Sequence, residues 1–152
     1  MQSKLDLRAR KMLKSAKLSC TECRVVILKV LLKADKPVTQ QQVARRLGKK
    51  RGNKVTIYRT LESFCRAGLV HRAFLQTRTW YFELADNCTE SQCHPHFTCT
   101  KCGETQCLTE MSLPMAKSTR KGFVIQHQRV QLEGLCPKCN PNPWLTSLSV
   151  RH

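Results

Sequence analysis

The run VTIYRTLESFCRAGLV, residues 55–70, decides the fold of this 152-residue chain. Ile57, Leu61, Phe64 and Cys65 recur at helical spacing and mark one apolar face. Thr56 is the expected N-cap and Gly68 the expected terminator. The opposite face is polar and basic at its start, where Lys54, Thr56, Tyr58 and Arg59 cluster. A helix with an apolar back and a basic leading end fits the groove of a polyanion, provided its neighbours hold it in place.

Those neighbours are legible on both sides. Upstream, VTQQQVARRLG (residues 38–48) has a Thr39 cap, Val43 and Leu47 four apart, and Gly48 as its stop. Before it, TECRVVILKVLLKADKP (residues 21–37) offers a Thr21 cap, Glu22 in the first turn, and an apolar stripe of Val25, Ile27, Leu28, Leu31 and Leu32 ahead of Pro37. KKRGNK (residues 49–54) is a short basic connection. Downstream, LVHRAFLQTRTWYFEL (residues 69–84) places strand-forming residues on either side of a polar QTR turn, which predicts a β-hairpin.

Helix, helix, short turn, helix, hairpin is the order of a winged helix-turn-helix, whose second motif helix enters the major groove by its N-terminal residues. Charge agrees with that order. Residues 1–86 hold 20 Lys and Arg against 6 Asp and Glu, and residues 87–152 hold 7 against 4. The first part therefore carries +14 of the net +17, the mark of a surface that meets nucleic acid or another polyanion. Tyr58 suits a thymine methyl or a phosphate, and Arg59 a guanine edge or a phosphate. Lys49, Lys50, Arg51 and Lys54 supply further positive charge.

Residues 1–17, MQSKLDLRARKMLKSAK, contain no apolar core and no small-residue cleavage site, and no apolar run is long enough to span a bilayer. The expectation is a soluble, cytoplasmic protein with no membrane partner. In that setting CxxC pairs hold metal or do redox work more often than they form structural disulfides.

Ten cysteines include three CxxC pairs, at Cys20/Cys23, Cys99/Cys102 and Cys136/Cys139. The last two pairs, CTKC and CPKC, supply the four thiolates of a tetrahedral structural Zn²⁺ site. Between them SLPMAKSTRKG (residues 112–122) suits a short helix, and FVIQHQRVQLE (residues 123–133) alternates like a strand. In CHPHFTCTKCG (residues 93–103), His94 and His96 are two apart, so on a strand they would share a face and an ion. His71, Glu83, Cys88, Cys107 and His127 lie nearby in sequence, which favours a second metal site. Cys20 and Cys23 read as packing at a helix end.

Other classes of function fit less well. A zinc hydrolase or deaminase needs an acid at fixed spacing from a ligand histidine, as in H-E-x-x-H or H-x-E, and none is present. A thiol-disulfide oxidoreductase would set its CxxC beside a βαβ pattern. No enzyme activity and no small-molecule substrate are expected. A metal-independent zinc-ribbon RNA or DNA adaptor is separated from a sensor by whether one zinc per subunit, or more, can be removed without unfolding.

Taken together, TECRVVIL, VTIYRTLESFCRAGLV, YFEL, HPHFTCTKCG and GFVIQHQRVQLEGLCPKC resemble the Fur family of metal-responsive repressors, in the family's order and near its spacing. The resemblance implies a winged-helix DNA-binding domain, a C-terminal α/β dimerisation domain, and a homodimer that binds palindromic AT-rich double-stranded DNA when metal-loaded. It implies that Cys99, Cys102, Cys136 and Cys139 hold structural zinc, that His94 and His96 belong to an interdomain sensor site, and that Glu83 matches a carboxylate ligand used by iron- and manganese-sensing members. His71 matches a ligand position of zinc-sensing members, and Cys88 lies three residues past another such position, which Ala85 fills. Iron-type members have a histidine before the second helix, where this chain has DKPVT with Pro37. They also have an acid at the place of Cys107, and a histidine at the place of Gln128, one step from His127.

Replacing oxygen donors with thiolates softens a site toward Zn²⁺ and away from Fe²⁺ or Mn²⁺. The expectation is therefore an α+β protein with domains at 1–84, a hinge at 85–93, a metal-binding dimerisation domain at 94–140 and a tail at 141–152. Its expected function is that of a zinc-responsive, Zur-like repressor controlling metal homeostasis. The alternative is an iron- or peroxide-sensing repressor using Fe²⁺ or Mn²⁺.

Overall fold

Asn53, rather than Thr56, caps the helix on which the fold turns: its side chain accepts the Val55 N–H at 3.1 Å, and the helix runs Lys54–Arg66. An asparagine caps as well as a threonine does, so the earlier residue wins and gains an extra turn. The computed structural model describes residues 3–48, 53–86, 88, 92–117 and 120–142. The chain divides into two units, Met1–Cys93 and His94–His152.

The first unit contains, in order, α1 (Lys4–Ser15), α2 (Glu22–Leu32), β1 (Val38–Thr39), α3 (Gln40–Leu47), α4 (Lys54–Arg66), β2 (Val70–Gln76) and β3 (Thr79–Leu84). Thr21 caps α2 as expected, and Thr39 caps α3 in a reciprocal box with Gln42. At the far end of α4, Gly68 sits at φ +69°. The Leu69 N–H donates to the Phe64 carbonyl and the Gly68 N–H to the Cys65 carbonyl, a Schellman ending that turns the chain into β2.

Sequence reading passed over α1. Ser3 caps it, and Ala9 and Leu13 are fully buried against α2. Its charged side chains dilute the apolar periodicity, so the signal rests on Ser3, Asp6 and two small or aliphatic positions. Asp6 ties the two helices together by accepting from Arg10 Nε at 2.8 Å and Lys29 Nζ at 3.0 Å. Those bonds, Arg10's first, hold its carboxyl below the ordinary carboxylate range.

One cluster fills the space between the helices and the sheet: Val25, Ile27, Leu28, Leu31, Val43, Ile57, Leu61, Phe64, Val70 and Phe82. Each fully buried large side chain contributes about 1.5–3 kcal/mol. Cys20, Cys23 and Cys65 are half-buried against the same cluster. The sheet has strand order β1-β3-β2, all neighbours antiparallel.

The β2–β3 hairpin turns on Thr77 and Arg78, at φ +45° and +60°. Two positive φ angles define a primed turn, which asparagine and glycine enter with little strain and β-branched residues resist. Replacing the pair by Asn-Gly is expected to stabilise the protein by about 1 kcal/mol. Thermal denaturation of Thr77→Asn/Arg78→Gly protein checks this, and an unchanged midpoint would remove the strain argument.

The second unit is a small sheet in the order β5-β4-β6, from β4 (His96–Cys99), β5 (Thr105–Cys107) and β6 (Gln131–Gly134). The helix expected over residues 112–122 is not found among its described residues. Instead the Gln128 side chain braces this segment, accepting from the Ala116 N–H and donating to the Pro114 carbonyl at 3.1 Å. Of the expected strand over residues 123–133, only the last three residues join a strand, β6 (Gln131–Gly134), parallel to β4. Phe123, Val124 and Ile125 are exposed, so among the described residues no apolar surface rewards their pairing. Buried residues among those described in this unit are Pro95, His96, Thr98, Cys99 and Cys136, with no large aliphatic side chain among them. Among the described residues of both units, no helix is long and apolar enough to cross a membrane.

Candidate metal centres and nucleic-acid surface

The tip of the second unit brings Cys99, Cys102, Cys136 and Cys139 together, with every sulfur within 4.8 Å of the others. The register explains how 33 intervening residues are spanned: Cys99 ends β4 opposite Gly134, the last residue of β6, and the next turn returns Cys136 to the same spot. Each CxxC closes a tight turn. The Gly103 N–H donates to the Cys99 carbonyl at 2.8 Å, and the Cys139 N–H to the Cys136 carbonyl at 2.9 Å.

Electrostatics at this cluster are those of a cation site. N–H groups of Cys102 and then Cys136 pull the Cys99 thiol down to about 6. Cys139 goes the other way: the Cys136 side chain, first among the causes, pushes it up to about 12. Four adjacent sulfurs cannot all ionise beside one another unless a positive charge joins them. Donor type, number and spacing fit Zn²⁺.

The wing of the first unit gathers a second set of donors. His71 and Glu83 are cross-strand partners in the β2–β3 ladder, and His71 Nε2 lies 2.8 Å from Glu83 Oε1. A turn after β3, closed by the Cys88 N–H to the Ala85 carbonyl, places Cys88 Sγ 3.3 Å from His71 Nδ1. The three-residue offset of Cys88 from its expected place is thus absorbed by one turn of chain. Cys93 completes a group in which His71, Cys88 and Cys93 lie within 4.8 Å of one another. Sequence reading noted Cys93 but did not count it as a ligand; its signal was only proximity to two histidines.

In the second unit the His94 and His96 rings approach to 4.7 Å between centroids. They do not share a strand as expected, because His94 precedes β4 and Pro95 intervenes. Cys107 is the direct partner of His96 across the β4–β5 ladder, so both project to the same face. Gln128 is committed to the brace described above, and His127 is exposed.

Lys54, Thr56, Tyr58 and Arg59 are all exposed along the first turns of α4, opposite buried Ile57, Thr60 and Leu61. The same helix face thus carries both an aromatic and a cation at the end that would meet a groove. Lys49, Lys50 and Arg51 lie outside the described residues, as does Trp144 of the tail.

The chain matches the sequence model of the Ferric uptake regulator family over residues 15–133. It is 30% identical over 136 residues to the ferric uptake regulation protein of Bordetella parapertussis, covering 84% of this chain and 93% of that one. Among solved structures, the ferric uptake regulator of Pseudomonas aeruginosa with manganese superposes with a TM-score of 0.60 at 25% identity, over 84% of this chain and 97% of the other. A zinc uptake regulator complexed with zinc and DNA superposes at 0.62 over 90% and 93%, at 21% identity, a likeness of fold alone.

Proposed function

From the premise that the chain belongs to the ferric uptake regulator family, a family of metal-dependent transcription regulators with an α+β fold, we propose that it is a zinc-responsive repressor. It binds palindromic AT-rich operator DNA as a homodimer when a regulatory Zn²⁺ is held, and so controls metal homeostasis. The observation that carries the zinc reading is the placement of Cys107 opposite His96, where a soft donor faces an imidazole.

In this reading Cys99, Cys102, Cys136 and Cys139 hold structural zinc. The regulatory ligands are His94 and His96, joined by donors drawn from His71, Glu83 or Cys88, and Cys107. A bound divalent ion supplies the positive charge and Lewis acidity that these anionic and imidazole donors lack. Lys54, Thr56, Tyr58 and Arg59 carry DNA contact, within a domain at 1–84. A hinge at 85–93, a dimerising metal-binding domain at 94–140 and a tail at 141–152 complete the organisation. The exposed Phe123, Val124 and Ile125 of the second unit support a partner subunit, since contiguous apolar exposure of that kind marks association surfaces.

The test is an anaerobic operator-binding titration with Zn²⁺, Fe²⁺ and Mn²⁺ in turn. Zinc is expected to give the tightest DNA complex at the lowest free metal. Equal or better response to Fe²⁺ would favour the second reading, an iron- or peroxide-sensing repressor. The name of the Bordetella relative and the manganese in the Pseudomonas structure support that alternative.

Two substitutions sharpen the reading. Cys107→Glu restores a hard oxygen donor and is expected to move metal preference toward Fe²⁺ or Mn²⁺ in the same titration. Unchanged preference would take away the main support for zinc. Arg59→Ala is expected to weaken operator binding by about 1–3 kcal/mol through loss of a bidentate base contact. Affinity unaltered in both Arg59→Ala and Tyr58→Phe protein would put recognition on another surface.

A further inference from the structure

At the wing, the geometry points to a division of labour that adds Cys93 to the regulatory donors: His71, Cys88 and Cys93 are direct ligands of a soft divalent ion, and Glu83 is the carboxylate that orients His71. This deepens the metal-responsive reading and rests on it for the ion's regulatory role. The coordination itself rests on the wing. The two ring nitrogens of His71 face different groups. Nε2 lies 2.8 Å from a Glu83 carboxylate oxygen, whereas Cys88 Sγ is 3.3 Å from Nδ1 and 4.0 Å from Nε2.

An ionised carboxylate only accepts, so the ring proton belongs on Nε2, which leaves Nδ1 as the nitrogen that can bind a metal, with the Cys88 sulfur beside it. Carboxylate, then imidazole, then metal is the usual chain by which a ligand histidine is aimed and made more basic. Cys93 Sγ joins the same space, within 4.8 Å of both Cys88 Sγ and the His71 nitrogen. Cys93 is only 5% exposed and Cys88 is half-buried, so two thiolates side by side there are stabilised by a cation.

Two thiolates and one neutral imidazole carry a charge that a divalent ion cancels. Sulfur donors select Zn²⁺ over Mg²⁺, Mn²⁺ or Fe²⁺. Three protein donors leave a fourth tetrahedral position open to another donor. The donors come from β2 (His71), the turn after β3 (Cys88) and the segment that follows (Cys93), all inside Met1–Cys93. The ion would therefore tie the segment after the wing back onto the hairpin of the DNA-binding unit.

The experiment uses the full chain with its four-cysteine site loaded with zinc, titrated anaerobically with Co²⁺ alone. One further Co²⁺ per chain is expected, with tetrahedral d–d bands and sulfur-to-cobalt charge transfer. Cys93→Ser should remove about half of that charge-transfer intensity, since one of two sulfurs is lost. Glu83→Gln should keep the intensity while weakening cobalt binding about 10–100-fold, the usual cost of losing an orienting partner. Full charge-transfer intensity in Cys93→Ser protein would overturn the proposal.

If that variant fails to fold, X-ray absorption at the cobalt edge of the unaltered chain decides the matter. Two sulfurs in the coordination sphere support the assignment, and fewer than two overturn it. No DNA is present in either measurement. A sulfur-free cobalt site therefore sinks this inference alone, while failure of the operator titration sinks the repressor reading and leaves the coordination standing.

Discussion

Cys99→Ser and Cys136→Ser proteins are expected to lose the fold of the second unit and, with it, any self-association that unit supports. The reason lies in what this unit buries. Among its described residues the buried set is a proline, a histidine, a threonine and two cysteines. A domain so small and so poor in buried aliphatic surface needs a staple. Zinc binding by four thiolates is worth about 10–16 kcal/mol in small zinc modules near neutral pH, as much as a typical domain's whole stability of about 5–15 kcal/mol.

The two CxxC turns also set the register of β6 on β4, because Gly134 must lie opposite Cys99 for Cys136 to reach it. Loss of one thiolate loosens both the ion and the strand. Sedimentation, thermal denaturation and zinc stoichiometry on the purified variants check this. Either variant remaining a stable oligomer with unchanged melting would overturn the structural role of the four cysteines.

His94→Ala/His96→Ala protein is expected to behave in the opposite way. Its structural zinc and fold should persist, while zinc-dependent operator binding falls about 1000-fold. Such a loss corresponds to about 4 kcal/mol of coupling between metal and DNA. A few coordinate bonds made in one arrangement of the chain and not in the others supply that much. Both imidazoles lie close together before and at the start of β4, and neither contributes to the four-cysteine cluster. Operator titration with and without zinc, alongside zinc stoichiometry, separates the two roles. Retention of the full zinc response in the double variant would move the sensor to other residues.

What the amino-acid sequence by itself determined is whatever rests on short-range rules. Thr21, Thr39 and Gly48 bound their helices where capping chemistry puts them. The spacing of Ile57, Leu61 and Phe64 chose the buried face of α4, and that choice left Tyr58 and Arg59 exposed. The two late CxxC pairs announced a four-thiolate site because each pair is a complete local turn.

Local rules failed where two signals competed or where charge hid a pattern. Asn53 outranked Thr56 by standing first, and α1 went unread because its buried stripe is only Ala9 and Leu13 beneath a dense run of lysine and arginine. The segment 112–133 was misread in larger part. Alternation predicts a strand only when some surface covers its apolar side, and here Phe123, Val124 and Ile125 have no such cover among the described residues.

Only tertiary structure decided which metal donors meet. Nothing in the spacing of residues 71 and 83 shows that a hairpin register pairs them, or that a turn carries Cys88 to the far nitrogen of His71. The same holds for Cys107, which reaches His96 through the antiparallel pairing of β5 with β4. Ligand sets are made by contacts between residues distant in sequence, and those contacts follow from strand register, which is settled by the packing of the whole sheet rather than by any local run of residues.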